Sequence, residues 1–264
     1  RMENGAILRG FTVGGTLDTA VDVFSIGTVE VSNCVLYSSG TGLHVNTNTQ
    51  IWCINNTIYD NGTGILAEAG VQFLPLANNV LVLNAVGIST DASGTVDARY
   101  NAFYKNITTY AGGFLPGTHD LLSANPMFMD PGNLNFHIGH GSALRNAGDP
   151  APEYNDRNGS RNDIGSDGGP RGAIDLLVPQ IAIDTIPFPI QGPAPLAVFA
   201  DTAESYDEWG IFSVEWDVNM LDGLAFGDGN GASIATLFDE PGGHIAAVRV
   251  TDNSGLSSWA MVSV

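Results

Sequence analysis

An asparagine-centred pattern that returns every 22 to 23 residues constrains this chain more than any other feature. It runs through ILRGFTV at 7–13, VSNCVLY at 31–37, INNTIYD at 54–60, ANNVLVL at 77–83 and ARYNAFYK at 98–105. Centred on Gly10, Asn33, Asn56, Asn79 and Asn101, the steps are 23, 23, 23 and 22 residues. A second landmark keeps the same period in AVDV at 20–23, GLHV at 42–45, GILA at 64–67 and GIST at 87–90, where Val21, Leu43, Ile65 and Ile88 hold the apolar position. Two strand segments in fixed phase, each bounded by Gly, Asn, Ser or Thr, form one circuit of a coil rather than a hairpin. The period fits a parallel β-helix of about three short strands per coil, stacked at about 4.8 Å. Leucine-rich repeats share the length, but INNTIYDNGTGI lacks their fixed leucine pattern.

In such a stack equivalent side chains lie above one another. Asn33, Asn56, Asn79 and Asn101 are therefore expected to form an amide ladder, each donating and accepting along the axis. Val35, Leu36, Ile58, Val80, Val82 and Phe103 supply the apolar stacks beside it. In this register Cys34 and Cys53 sit four residues out of phase in neighbouring coils, roughly 13 Å along an extended strand. A disulfide needs Cα atoms within about 7 Å, so two separate buried thiols are expected.

Composition agrees. Glycine is frequent, at 33 of 264 residues, and the single lysine is Lys105, which suits many short strands and turns rather than helices. The formal charge of −19, with 20 Asp against 8 Glu, makes nucleic acid and anionic membranes poor partners and favours cations and neutral glycans. No run approaches the roughly 20 apolar residues of a membrane span. The chain opens at Arg1 and enters strand-like sequence within six residues, as expected of a segment of a longer polypeptide whose leader lies upstream.

A second region begins where Pro179, Pro187, Pro189, Pro193 and Pro195 punctuate an extended run. The expected organisation is a β-helix with its closing segment over 1–171, a linker over 172–178 and a second domain over 179–264. In the last, PLAVFADTAES, FSVEWDV, SIATLFDEPG, HIAAVRVTDNSG and LSSWAMVSV read as alternating strands at β-sandwich spacing.

The repeat, together with LLSANPMFMDPGNLNFHIGHGSALRNAGDP at 121–150 and NDRNGSRNDIGSDGGP at 155–170, resembles the pectin-lyase-like right-handed parallel β-helix proteins of the secreted bacterial type. The second stretch resembles their closing segment, which covers the unpaired edge of the last coil. It departs from the family at Leu144 and at Ser166-Asp167. The last 86 residues resemble a polycystic kidney disease (PKD) domain, an immunoglobulin-like module, through Pro195-Leu196, Phe199, Glu215-Trp216-Asp217, Glu240-Pro241-Gly242 and VRVTDNSGLSS at 248–258. FGDG arrives only at 226–229, not directly after Trp216-Asp217 as in that family. Trp216 is expected in the core.

The β-helix resemblance implies polysaccharide lyase or glycoside hydrolase chemistry, but the residues do not assemble it in sequence. A lyase needs a base and a group that neutralises the sugar carboxylate, and the coils offer only Arg9, Arg99 and Lys105, which read as surface charges. Hydrolysis needs two carboxylates about 5 to 9.5 Å apart, and Asp22, Glu30, Asp60, Glu68, Asp91 and Asp97 are scattered in coil phase. Gly139-His140-Gly141 is similar to a polygalacturonase motif without that family's Asp clusters. His44, His119, His137, His140 and His244 are dispersed, which favours structural roles. The best candidate ligand set is Asp156, Asn158, Ser160 and Asp163, oxygen-bearing side chains around a glycine turn in the manner of a calcium loop; Asp201, Asp207 and Glu208 form a weaker one.

The chain is therefore expected to be an all-β protein, a right-handed parallel β-helix followed by an immunoglobulin-like sandwich. Its expected role is a secreted or cell-surface, non-catalytic structural, adhesive or glycan-binding element, with calcium as its candidate cofactor. Polysaccharide or neighbouring extracellular protein subunits are its expected partners. The alternative is a polysaccharide lyase or glycoside hydrolase whose groove lies in the β-helix or in upstream coils.

Overall fold

The computed structural model describes residues 2–3, 5–25, 27–91, 96–139, 141–172, 181–186, 192–203, 205, 207, 210–219 and 223–263. The chain divides into two compact units, Arg1–Ile174 and Asp175–Val264. All but residue 172 of the expected linker lies outside the described residues.

The first unit is a parallel β-helix with three faces. The first face stacks Ile7–Arg9, Thr28–Ser32, Gln50–Ile54, Gln72–Ala77 and Val96–Arg99. The second stacks Thr12–Gly14, Val35–Tyr37, Thr57–Tyr59, Val80–Val82, Ala102–Tyr104 and Leu121–Leu122, and the third Thr19–Val23, Thr41–Val45, Thr63–Ala67, Val86–Thr90 and Thr108–Ala111. Val21, Leu43, Ile65 and Ile88 align as the period requires. They meet Leu36, Ile58, Leu81 and Phe103 from the second face and Ile51, Phe73 and Leu76 from the first in one core. Gly64 lets the third face close tightly, since a Cβ there would lie 2.6 Å from the Gly87 carbonyl oxygen of the next coil.

The asparagine ladder forms at the corner between the first two faces, with one correction. Asn56 Nδ2 donates to Asn79 Oδ1 (2.9 Å), Asn79 Nδ2 to Asn101 Oδ1 (3.0 Å) and Asn101 Nδ2 to Asp120 Oδ1 (3.2 Å). Each amide oxygen also accepts the backbone N–H of the residue below it in the stack, beginning with Cys34 N–H on Asn56 (3.0 Å). Asn33 is not a rung. Because Ser32 pairs with Ile54, Asn33 stacks on Asn55, and the step there is 22 residues rather than 23. The two cysteines are consequently three positions out of phase, not four; both are buried free thiols, and burial pushes Cys53 up to about 12. A second ladder, Asn61 to Asn84 to Asn106, turns the corner between the second and third faces (3.0 and 2.9 Å).

The outward column Asn33, Asn55 and Asn78 instead holds the closing segment. Asn33 Nδ2 donates to the carbonyls of Ser166 and Gly168, Asn55 Nδ2 to those of Asp163 and Gly165, and Asn78 Oδ1 accepts Asp149 N–H. The antiparallel pair Phe128–Asp130 and Asn135–Ile138 brings Phe128 and Phe136 against Tyr59. The second face is thereby buried on both sides: Val80, Val82 and Ala102 face outward into a cluster with Ile138, Leu144 and Ile164. This places Val80 and Val82 under the closing segment rather than beside the ladder.

The second unit consists of antiparallel sheets in the manner of a β-sandwich. Asp184–Ile186, Leu196–Asp201 and Ser233–Phe238 form one, and Gly229–Asn230, Ile211–Asp217, Ile245–Asp252 and Ser257–Ser263 the other. Trp216 is fully buried among Ala200, Val248 and Val250, with its indole N–H donating to the Gly231 carbonyl (3.0 Å). That is the core role expected of it.

Asn79 makes every hydrogen bond the ladder demands, also donating to Cys53 and Ala77 carbonyls. Asn79→Ala leaves the buried Asn56 N–H without its acceptor and removes four side-chain hydrogen bonds of the ladder besides, so the unfolding free energy in urea should fall by about 2–4 kcal/mol. A loss within about 0.5 kcal/mol, as for an ordinary surface substitution, would show that the ladder does not bear on stability.

Candidate functional site

The first face carries three outward columns. Because alternate residues of a strand point to opposite sides, the register aligns Thr28, Gln50 and Gln72 in one, Ile7, Glu30 and Trp52 in the next, and Arg9, Ser32 and Ile54 in the third. The first is a hydrogen-bonded polar ladder: Thr28 Oγ1 donates to Gln50 Oε1 and Gln50 Nε2 to Gln72 Oε1, each at 3.1 Å. In the middle column Ile7 is 60% and Trp52 43% exposed.

Part of this face is walled by the closing segment. Glu153, Tyr154, Pro170 and Arg171 rise beside Trp52, Glu30 and Ile54 to enclose a groove of about 510 Å³, within the range of small-ligand sites. Tyr154 is fixed from behind, its hydroxyl accepting from Arg99 Nη2 (3.1 Å) while Arg99 Nε binds Asp149 (2.6 Å) and Nη1 binds Asp97.

Glu30 is the fixed acceptor of the groove. Its Oε1 receives Arg9 Nη2 (2.6 Å) and Ser32 Oγ (2.6 Å), and Arg171 Nη1 stands at 3.5 Å. Burial works against the charge, but the hydrogen bonds from Ser32 and Arg9 and the field of both arginines outweigh it and hold the carboxyl below the usual range. Arg171 is more than half exposed and keeps donors for a ligand. The site thus combines an aromatic face, a fixed anion and a movable cation.

The predicted calcium ligands meet only in part. Ser160 Oγ donates to Asn158 Oδ1 (2.6 Å) and approaches Asp156 Oδ2 (3.3 Å), while Asp156 also accepts the N–H groups of Asp163 and Gly169. The Asp163 carboxylate instead accepts Asn146 N–H (2.6 Å). Burial, with the charges of Asp156 and Asp167, pushes it up to about 6 against that hydrogen bond and the Arg145 charge. Among the described residues no group of three or more His, Cys, Asp or Glu side chains is arranged to hold a metal ion. In the weaker candidate Asp201 accepts Ala203 N–H and Asp207 is buried, and Glu208 lies outside the described residues. So does His140 of the Gly139-His140-Gly141 string.

Sequence reasoning discarded one constellation that the fold assembles. On the third face His44 Nδ1 lies 3.0 Å from Asp22 Oδ1 and Nε2 3.2 Å from Glu68 Oε1. Asn46 steadies Asp22 (3.0 Å) and Thr47 steadies Glu68 (3.2 Å). Asp22 and His44 are register partners one coil apart, a signal present in the period. Trp52 was missed outright, although its place between the buried Ile51 and Cys53 marks it as outward-facing. Arg9 and Arg99, read as surface charges, are bound in ion pairs, and Lys105 lies over the Tyr104 ring (5.0 Å).

Residues 2–117 match the family model of the right handed beta helix region. The first unit is a right-handed β-helix. No curated protein matches the chain. Among solved structures, one described for the promiscuous specificity of carbohydrate-binding modules from the beta-sandwich super family is 26% identical, with a TM-score of 0.27, covering 34% of this chain and 35% of its own. The chain thus spans about a third of the length of that structure. The PKD1 domain of Vibrio anguillarum Epp is 18% identical, with a TM-score of 0.27, covering 34% of this chain and 94% of its own.

The Glu30 carboxyl lies below its ordinary value, so its contribution to stability is complete above the usual carboxylate range and is lost as pH falls through the folded value. A double-mutant cycle of Arg9→Met and Glu30→Gln on the β-helix should give a coupling of about 1 kcal/mol at neutral pH. The coupling should shrink below about pH 4; one that persisted unchanged in acid would contradict the ion pair.

Proposed function

We propose that this is a glycan-binding protein of the cell surface or extracellular space, and that its binding site is the groove on the first face of the β-helix. The observation that carries this reading is Trp52, a large aromatic left exposed beside the fixed Glu30 carboxylate and the half-free Arg171. Such a ring presents an apolar platform to the C–H face of a sugar, and the charged pair supplies an acceptor and a donor for neighbouring hydroxyls. The pectin-lyase-like class for the β-helix and a PKD-like module for the second unit, acting as spacer or docking element, accord with this role.

Retention on immobilised polysaccharides tests it. Across a panel of neutral and acidic glycans, at least one should retain the protein, Trp52→Ala should weaken retention at least about tenfold, and Trp259→Ala, in the second unit, should not change it. No retention by any glycan, or full retention by Trp52→Ala, would remove the groove from consideration.

A second reading, a polysaccharide-degrading enzyme, is favoured by one observation: His44 lies between two carboxylates on the open third face. The imidazole and Glu68 are then the candidate base and acid. Unsaturated products or new reducing ends from the same panel, abolished by His44→Ala, would establish it.

A further inference from the structure

The groove ends near Trp52 and Ile54, but the columns that form its floor do not. One coil further, a bulge sets Leu74 and Pro75 opposite Trp52, and Leu74 remains 36% exposed. Beside it Gln72 closes the ladder begun by Thr28 and Gln50, with its Oε1 occupied by Gln50; Thr28 and Gln50 are thereby oriented along the stacking direction. Beyond Glu30, Trp52 and Leu74 therefore form an apolar strip over two consecutive coils, beside a hydrogen-bonding strip, Thr28 to Gln50 to Gln72, over three coils spaced at about 4.8 Å.

Two parallel strips of this kind match a linear chain of pyranose rings, apolar on the ring faces and lined with hydroxyls along the edge. The charges choose among such chains. Arg9 is committed to Glu30, and Arg99 to Asp149 and Asp97. Arg171 stands beside Glu30, and the protein as a whole carries −19. An anionic chain would meet no uncompensated row of cations and would be repelled at long range.

Resting on the glycan-binding reading, we propose that Gln72 and Leu74 form a further subsite beyond the groove, and that the ligand is an extended, uncharged polysaccharide lying along the axis of the β-helix. A disaccharide fills the groove along Glu30 and Trp52; the further rings lie over Leu74, with their hydroxyls toward Gln72.

Calorimetric titration with neutral cello-, manno- and xylo-oligosaccharides, from disaccharide to hexasaccharide, tests this against oligogalacturonates of equal length. In at least one neutral series affinity should rise at least about tenfold with length and then level off. The Gln72→Ala/Leu74→Ser double variant should hold the longer ligands at the disaccharide affinity while leaving the disaccharide itself unchanged. Leu74→Ser alone, which leaves the polar ladder whole, should lose part of the gain. Equal affinity at every length, a uniform loss in the variants, or a preference for the oligogalacturonates would each overturn the subsite while leaving sugar binding at Trp52 in place. Failure of both series to bind, with no polysaccharide retained, would overturn the glycan reading itself.

Discussion

A directional chain of amides fixes everything else in the β-helix. A primary amide accepts at one end and donates at the other, so a column of stacked asparagines satisfies itself only if all point the same way. Asn56, Asn79 and Asn101 do, and the chain then needs a terminus that accepts without having to donate onward. Asp120 supplies it: Oδ1 takes the last amide and Oδ2 takes Gly117 N–H (2.8 Å) and Tyr110 O–H (3.0 Å). A buried corner of this kind tolerates no slip, since moving one coil by one residue would orphan several polar groups at once. The register of the outward columns, and with it the groove, is inherited from that corner.

Adjacent asparagines alternate in role because the chain turns a corner there, with Asn55 and Asn78 in left-handed backbone at φ 53° and 57°. Asn56 and Asn79 turn inward to the ladder, whereas Asn55 and Asn78 turn outward and bind the closing segment. The consequence for the site is direct. The segment that buries the second face also raises Glu153, Tyr154 and Arg171 at the edge of the first, so one loop both covers the solenoid and builds the wall of its groove. In the proposed reading, binding and stability share this structural element, while the Asp22, His44 and Glu68 group lies on the third face.

How much of this was legible follows from the same alternation. The period exposed the coils, and Val21, Leu43, Ile65 and Ile88 were placed correctly because each is the central residue of its five-residue strand and follows a small Ala or Gly. Asn33 was placed in the wrong column because the repeat shortens by one residue between it and Asn55, and two neighbouring asparagines offer no local sign of which points inward. The second ladder, Asn61, Asn84 and Asn106, keeps the same period and was overlooked beside the first. The closing segment was recognisable, but its grip on Asn33 and Asn55 spans more than a hundred residues and leaves no mark in any local pattern. Trp52 and the pairing of Asp22 with His44 were within reach of a column-by-column reading.

The net charge illustrates why a global property did not locate the site. An excess of 19 negative charges suggests that the few cations are dispersed solvating groups, yet Arg9, Arg99 and Arg249 each close a partly buried ion pair, and Arg171 stands over the Glu30 that Arg9 already neutralises. With so few cations, each is placed where a carboxylate must be held, and the face around Trp52 is left nearly neutral on an acidic protein. Recognition at such a face draws little on long-range attraction, which salt would screen. Under the proposal it would rest instead on contact with the aromatic ring and on short hydrogen bonds to groups already held in place, a mode suited to an uncharged polymer.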